Sequence, residues 1–274
     1  MQRRNNVIFW IIAFIITISS AVYQRMTGPT HPIRGTIQMN ASIVKYKLAR
    51  SHGGENDHFV SIEAPDSLIT ANLLYKRYKT DDPWTIISMK RNGEHLMAAL
   101  PHQPPAGKLM YRVIVINGIQ HVSLTGDEPV IIRFKGAVPI YFLLPHVMIM
   151  FLAMLFSNRA GLEALLPQGN PRKIALWTTG FLFIGGIILG PLVQKYAFGQ
   201  LWTGFPLGTD LTDNKTALAM IAWIMAVIAG RKNRSARWWV LGAAIVLLAI
   251  YLIPHSMFGS ELDYSKLPQS EFNP

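Results

Sequence analysis

Val130-Ile131-Ile132-Arg133-Phe134, Lys135-Gly136-Ala137-Val138-Pro139, then Tyr141-Phe142-Leu143-Leu144-Pro145-His146: this stretch joins two kinds of chain. Its first five residues close a series of short apolar runs that alternate with polar residues, the period of a half-buried strand. Its last six open a long run that continues through Val147 to Phe156 without a charge. Only 135–139 separates strand from span. A joint that short holds a β module close to the membrane surface, where a long tether would let it swing.

Downstream and at the N-terminus, apolar runs approach the ~20 residues needed to cross ~30 Å of hydrocarbon. They cover 7–23, 137–157, 174–193, 216–230 and 238–253, and snorkelling Lys215, Arg231 and Arg237 extend the two short ones. The sequence therefore predicts a five-span α-helical membrane protein carrying an inserted extracytoplasmic β-sandwich. The segments are an N-terminal signal anchor at 1–25, the sandwich at 26–136, a four-helix region at 137–255 with an outer loop at 194–215, and an extracytoplasmic tail at 256–274. Ser19 and Ala21 would suit a signal-peptidase site, but the first run, of about 17 residues, exceeds the usual 7–15 of a cleaved leader and favours an anchor.

Net charge is +11. The basic residues fall in alternate connections: Arg3 and Arg4, then Arg159, Arg172 and Lys173, then Arg231, Lys232, Arg234 and Arg237. The positive-inside rule makes those connections cytoplasmic. The N-terminus would be cytoplasmic, the β module outside, and the membrane a bacterial inner membrane, with membrane lipid as the partner of the basic flanks. Basic residues between Arg25 and Lys135 are dispersed among acids, which argues against nucleic acid. The chain has no cysteine, so disulfides, thiolate catalysis and iron–sulfur ligation are excluded.

Upstream, candidate strands occupy 36–47, 58–64, 71–78, 84–91, 95–100, 109–116, 119–125 and 130–134. Asn92-Gly93 and Asn117-Gly118 are hairpin signals, read as turns in which both residues take positive φ. Strands this short at this spacing suggest a β-sandwich. Leu74-Tyr-Lys-Arg-Tyr78 with Trp84, and Ala98-Ala-Leu-Pro-His-Gln-Pro-Pro-Ala-Gly-Lys-Leu-Met-Tyr-Arg-Val113, resemble an immunoglobulin-like or fibronectin type III-like module. The resemblance covers about 100 residues, implies a fold and a binding role, and names no ligand.

The richest connection is Phe198-Gly-Gln-Leu-Trp-Thr-Gly-Phe-Pro-Leu-Gly-Thr-Asp-Leu-Thr-Asp-Asn-Lys215. Trp202 and Phe205 are rings that settle at a membrane–water boundary. Asp210 and Asp213, with Asn214, would hold a divalent metal. Alternatively Thr212 or Asp213 caps the next helix, and Lys215 pairs with Asp210, Asp213 or Glu261. His146 and His255 each follow a proline at similar depth. They would ligate a b-type haem or a metal, or hydrogen-bond carbonyls freed by Pro145 and Pro254. Gly186 and Gly190 form a GxxxG that lets two helices approach closely.

No HExxH, P-loop or GxGxxG occurs, and Gly204-Phe-Pro-Leu-Gly208 holds no serine for a nucleophile elbow. The function expected is that of a non-enzymatic subunit or assembly factor of an envelope complex, such as a respiratory one, binding other membrane or periplasmic subunits through its outer surface. The alternatives are an electron-transfer protein using His146 and His255, and a transporter with Asp210, Asp213 and Lys215 at its entrance. Against transport, the third to fifth runs hold no charge at mid-depth.

Overall fold

The computed structural model describes residues 2–40, 42–232, 236–254 and 261–266. The chain divides into two compact units, one of residues 1–29 and 138–260, the other of residues 30–137 and 261–274.

The first unit is helical. It comprises α1 (Gln2–Thr27), α2 (Ile140–Leu165), α3 (Arg172–Leu182), a π-helical segment (Phe183–Leu189), α4 (Gly190–Phe198), α5 (Leu211–Lys232) and α6 (Ala236–Leu252). Four helices are long and apolar enough to cross a membrane: Asn6–Thr27, Ile140–Leu165, the continuous Arg172–Phe198 and Leu211–Gly230. The fifth apolar helix, Arg237–Leu252, is shorter. At roughly 1.5 Å per residue it extends about 24 Å, less than the ~30 Å hydrocarbon core.

Two boundaries differ from the sequence reading. The turn expected after 157 is helix as far as Leu165. Arg159, read as a loop residue, and its neighbour Asn158 are buried, and α1 supplies partners to both. Asn158 Nδ2 donates to Thr17 Oγ1 at 3.0 Å. Arg159 pairs with Glu163 at 2.8 Å, donates to Asn6 Oδ1 at 2.6 Å, and stacks over Phe9 and Trp10. The loop expected at 194–215 shrinks to 199–210, because α4 runs to Phe198 and α5 starts at Leu211.

The core of this unit is built from small residues, including Ala153, Ala160, Ala164, Ala175, Ala219, Ala226 and Ala243, around the fully buried Trp223. Small side chains let helix backbones approach where lipid supplies no hydrophobic drive. At Gly161 a Cβ would lie 2.9 Å from the Ala244 Cβ. Large apolar side chains such as Phe14, Met148, Trp177, Ile224 and Ile245 face outward.

The second unit holds β1 (Ile33–Met39), β2 (Ser42–Leu48), β3 (Ser51–Gly53), β4 (His58–Glu63), β5 (Thr70–Arg77), β6 (Thr85–Ser88), β7 (Lys90–Asn92), β8 (His95–Leu100), β9 (Lys108–Asn117), β10 (Gln120–Ser123) and β11 (Val130–Lys135). One sheet has the order β1-β2-β4-β8-β7. The other has the order β3-β11-β9-β5-β6, with β10 paired to β9. Both sheets contribute to one core, through Val44, Leu48, Val60 and Ile62 on one side and Leu73, Tyr111, Val113, Ile132 and Phe134 on the other.

The strand expected at 36–47 is instead the β1–β2 hairpin, turning at Asn40 with φ 54°. The strand expected at 84–91 breaks at the buried Met89, after which the chain leaves the second sheet for the first. The short β3 was not foreseen. The tail, expected outside beside the 198–215 loop, belongs over residues 261–266 to this unit.

Both Asn-Gly turns sit one residue further on than expected. Asn92 pairs with His95 and Asn117 with Gln120, so Gly93 and Gly118 hold the first turn position, at φ 59° and 58°. Glycine at that position marks a type II′ turn, whereas the expected type I′ needs positive φ at both turn residues. Asn117→Ala should therefore change stability by less than ~0.5 kcal/mol. Gly118→Val, which puts a β-branched side chain at positive φ, should cost about 1–2 kcal/mol. Denaturant unfolding checks both values, and a larger loss for Asn117→Ala would refute the turn assignment.

Candidate functional site

The connection between α4 and α5 is a closed knot of hydrogen bonds. Gly199, at φ 85°, ends α4 in the left-handed conformation that glycine adopts without strain. The chain then folds back onto the first turn of α5. Asp213 Oδ2 accepts the Thr203 N–H at 2.6 Å and the Gly204 N–H at 3.0 Å. Gln194 Nε2 and Thr203 Oγ1 donate to the same oxygen at 3.0 and 3.2 Å. Asn214 Oδ1 accepts the Phe205 N–H at 2.7 Å, and the Trp202 indole donates to the Phe205 carbonyl at 3.1 Å. A Cβ on Gly204 would lie 2.6 Å from Asp213 Cβ and 2.8 Å from Asn214 Oδ1, so the fold-back requires glycine there.

The cap expected of Thr212 or Asp213 falls to Asp210. Asp210 Oδ1 accepts the Thr212 N–H at 2.7 Å and so caps α5. Asp213, inside the helix, clamps the loop. Asp210, Asp213 and Lys215 are 9%, 5% and 6% exposed, whereas Phe205 and Leu207 are 79% and 78% exposed. The knot thus buries its charge and presents an apolar tip. Among the described residues no group of three or more His, Asp or Glu side chains stands ready for a metal, and the Asp210, Asp213 and Asn214 oxygens named above face backbone N–H groups.

Lys215 donates to the Ile253 carbonyl at 3.1 Å, and its ammonium also feels the Asp210 carboxylate. Gln24 Nε2 reaches the Tyr251 carbonyl at 2.7 Å, and the Tyr251 hydroxyl donates to the Met150 carbonyl at 2.9 Å. The carbonyls at the end of α6 have no partner within the helix. Side chains from α1 and α5 supply the missing donors.

His146 bonds through Nδ1 to the Gly185 carbonyl at 2.9 Å, not to a carbonyl that Pro145 frees. A carbonyl only accepts, so Nδ1 carries the proton. Gly185 lies in the π segment, and its carbonyl also accepts the N–H of Gly190, the residue that follows the segment. The π winding also breaks the expected Gly186–Gly190 seam, since i and i+4 share a face only on an α-helix. A Cβ on Gly186 would meet Thr216 of α5 at 2.8 Å, and one on Gly185 would meet Met150 of α2 at 2.9 Å. Gly190 has only ordinary van der Waals neighbours, at 3.4 Å and beyond. His255 lies outside the described residues.

The β unit has a feature that sequence reasoning missed. A cleft of about 560 Å³ is lined by Arg77, Tyr78, Lys79, Lys108, Glu261 and Tyr264. Glu261 pairs with Lys79 and with Lys108, each at 2.7 Å. Burial alone would raise the Glu261 carboxyl, but the two lysines outweigh it and hold the group below its ordinary value. Burial pushes the Lys108 ammonium down, and Glu261 offsets only part of that. The Tyr264 hydroxyl accepts the Lys108 N–H at 2.9 Å and faces Gln103 Oε1 and the Lys108 carbonyl at 3.0 Å. Burial raises that phenol to about 12. A glutamate and a tyrosine three apart form no motif, and only the groove reveals their partners.

In comparisons with known proteins, no family model and no curated protein matches the chain.

Asp213→Ala should leave the Thr203 and Gly204 N–H groups without their acceptor and destabilise the loop by about 1–3 kcal/mol. Hydrogen exchange at those amides, read on the full chain in detergent, should rise by roughly tenfold or more. Asp210→Ala removes the cap and the carboxylate beside Lys215, and should leave those amides protected. The opposite ranking would overturn the assignment of the clamp to Asp213.

Proposed function

We propose that the chain crosses a bacterial inner membrane five times and presents an immunoglobulin-like β-sandwich outside. Parity supports the five crossings. Residues 261–266 belong to the β unit, so the chain leaves that unit near residue 137 and re-enters it by residue 261. A chain that returns to its starting side crosses an even number of times, which makes the short Arg237–Leu252 helix the fourth crossing after the β unit. α1 then crosses once more and sets the N-terminus on the opposite, cytoplasmic side. Its polar contacts through Asn6, Thr17 and Gln24 support an uncleaved anchor built into the helical unit.

Strand order supports the sandwich. Taking β2, β4, β5, β7, β8, β9 and β11 as strands A to G, one sheet runs A-B-E-D and the other G-F-C, with β6 added beside C, as in immunoglobulin-type domains. The chain has no native cysteine, so single cysteines report sidedness cleanly. In intact cells an impermeant maleimide should label Glu128→Cys and Ser265→Cys but not Gln168→Cys. Labelling at 128 without labelling at 265 would end the even-crossing topology.

We further propose that the protein is a non-enzymatic subunit or assembly factor of an envelope complex. One observation carries this reading: Phe205 and Leu207 are exposed on a loop whose backbone a buried carboxylate holds fixed. An aromatic anchor on a pre-ordered loop loses little entropy when a partner covers it. A photoreactive benzoylphenylalanine placed at 205 and irradiated in native membranes should give one discrete protein adduct. The same probe at Trp177, on the lipid-facing side of α3, should give lipid adducts. Lipid adducts alone at both positions would overturn the reading.

A further inference from the structure

His52 and His58 face each other across the two sheets of the β unit. His52 is on β3, which pairs with β11, and His58 is on β4, which pairs with β8. Their Nδ1 atoms are 3.2 Å apart and their ring centroids 4.9 Å apart. His52 Nε2 lies 2.8 Å from the Asn56 carbonyl. A carbonyl only accepts, so Nε2 carries the His52 proton and Nδ1 is left as a lone pair. In the metal-free pair, His58 Nδ1–H donates into that lone pair.

From this arrangement we propose that His52 and His58 form a two-imidazole site for a divalent transition metal, which clips the two sheets together at the 54–57 turn. Three features carry the proposal. First, two imidazole nitrogens bound at about 2.0–2.1 Å to one ion stand roughly 2.9–3.4 Å apart for angles between square and tetrahedral, and the observed 3.2 Å falls within that span. The second torsion of histidine is broad, so both rings turn toward a common ion without leaving their rotamers. Second, a ligating histidine characteristically donates its other N–H to a backbone carbonyl, and Asn56 already holds His52 that way. Third, the buried Phe134 ring packs against the His52 ring in a T-shaped contact, their centroids 5.6 Å apart.

Binding needs one proton shift: His58 gives up its Nδ1 proton and takes one at Nε2 through solvent, so no net proton is released from the neutral pair. Burial and the neighbouring His52 lower the His58 pKa to about 4, which keeps it neutral at physiological pH. No third His, Asp or Glu side chain joins the pair among the described residues, so water or an outside ligand completes the sphere. Imidazole donors suit Cu²⁺, Ni²⁺ and Zn²⁺, and Cu²⁺ binds tightest at a given nitrogen site.

The test uses the full chain, purified in mild detergent, stripped of metal and titrated with Cu²⁺ alone. One tight equivalent is expected, with an electron paramagnetic resonance signal split by two imidazole nitrogens. His52→Ala and His58→Ala should each weaken that equivalent by roughly 10–100-fold, while His121→Ala, on the exposed β10, leaves it unchanged. A second readout needs no variant. One equivalent of Cu²⁺ should protect positions 52 and 58, and not 121, from diethyl pyrocarbonate as mapped by mass spectrometry. Equal Cu²⁺ affinity in the His52 and His58 variants, or bound Cu²⁺ that leaves both positions reactive, overturns the site.

Discussion

Backbone N–H and C=O groups at the end of an apolar helix must find partners, since lipid offers none and an unmet group costs several kcal/mol. That requirement explains most of the polar chemistry in the helical unit. Asp213 answers it for the Thr203 and Gly204 amides, Asp210 for the start of α5, and Lys215 and Gln24 for the carbonyls that end α6. Charges beside hydrocarbon invite a functional reading. Here each of these side chains meets main chain, and the product is a fixed loop whose tip is apolar. What that tip offers a partner depends on the clamp beneath it.

The sequence made the element types legible and the partners illegible. Alternation marked β4, β5, β8 and β9 nearly to the residue, because one face of each strand lies in the core and the other does not. The same alternation hid the β1–β2 turn, where Asn40 interrupts a pattern that continues on both sides. Met89 hid the change of sheet in a similar way, since an apolar residue between two strands reads as strand. Arg159 looked like a loop cation because its partners, Asn6, Phe9 and Trp10, lie about 150 positions earlier. Asp213 was legible as a candidate cap and Asp210 as a candidate partner of Lys215. Which of them faced the helix and which the loop was decided by the glycine at 204, whose missing side chain leaves room for Asp213.

The π segment shows how a local motif loses its meaning in context. A GxxxG specifies a packing face only while the helix keeps its α pitch. Between Phe183 and Leu189 the winding is wider, and the two close approaches fall on the adjacent Gly185 and Gly186, toward different helices. The same segment presents the Gly185 carbonyl to His146, so the histidine's partner is set by the irregular helix opposite it. No inspection of the Pro145-His146 dipeptide would have named that partner.

The return of the tail sets an order on assembly. The strands of the β unit are contiguous between residues 33 and 135, so its two sheets can form from local chain. The contacts of Glu261 and Tyr264 join residues 153 to 182 positions apart, and they close only after every intervening helix has been made. Closing so long a loop brings an entropic cost that grows only slowly with length, and two lysine pairs, a buried tyrosine hydroxyl and the Arg77 guanidinium over its ring stand against that cost. The clasp therefore depends on the helices that precede it: its cleft is filled by the protein's own acid only when α6 has delivered it.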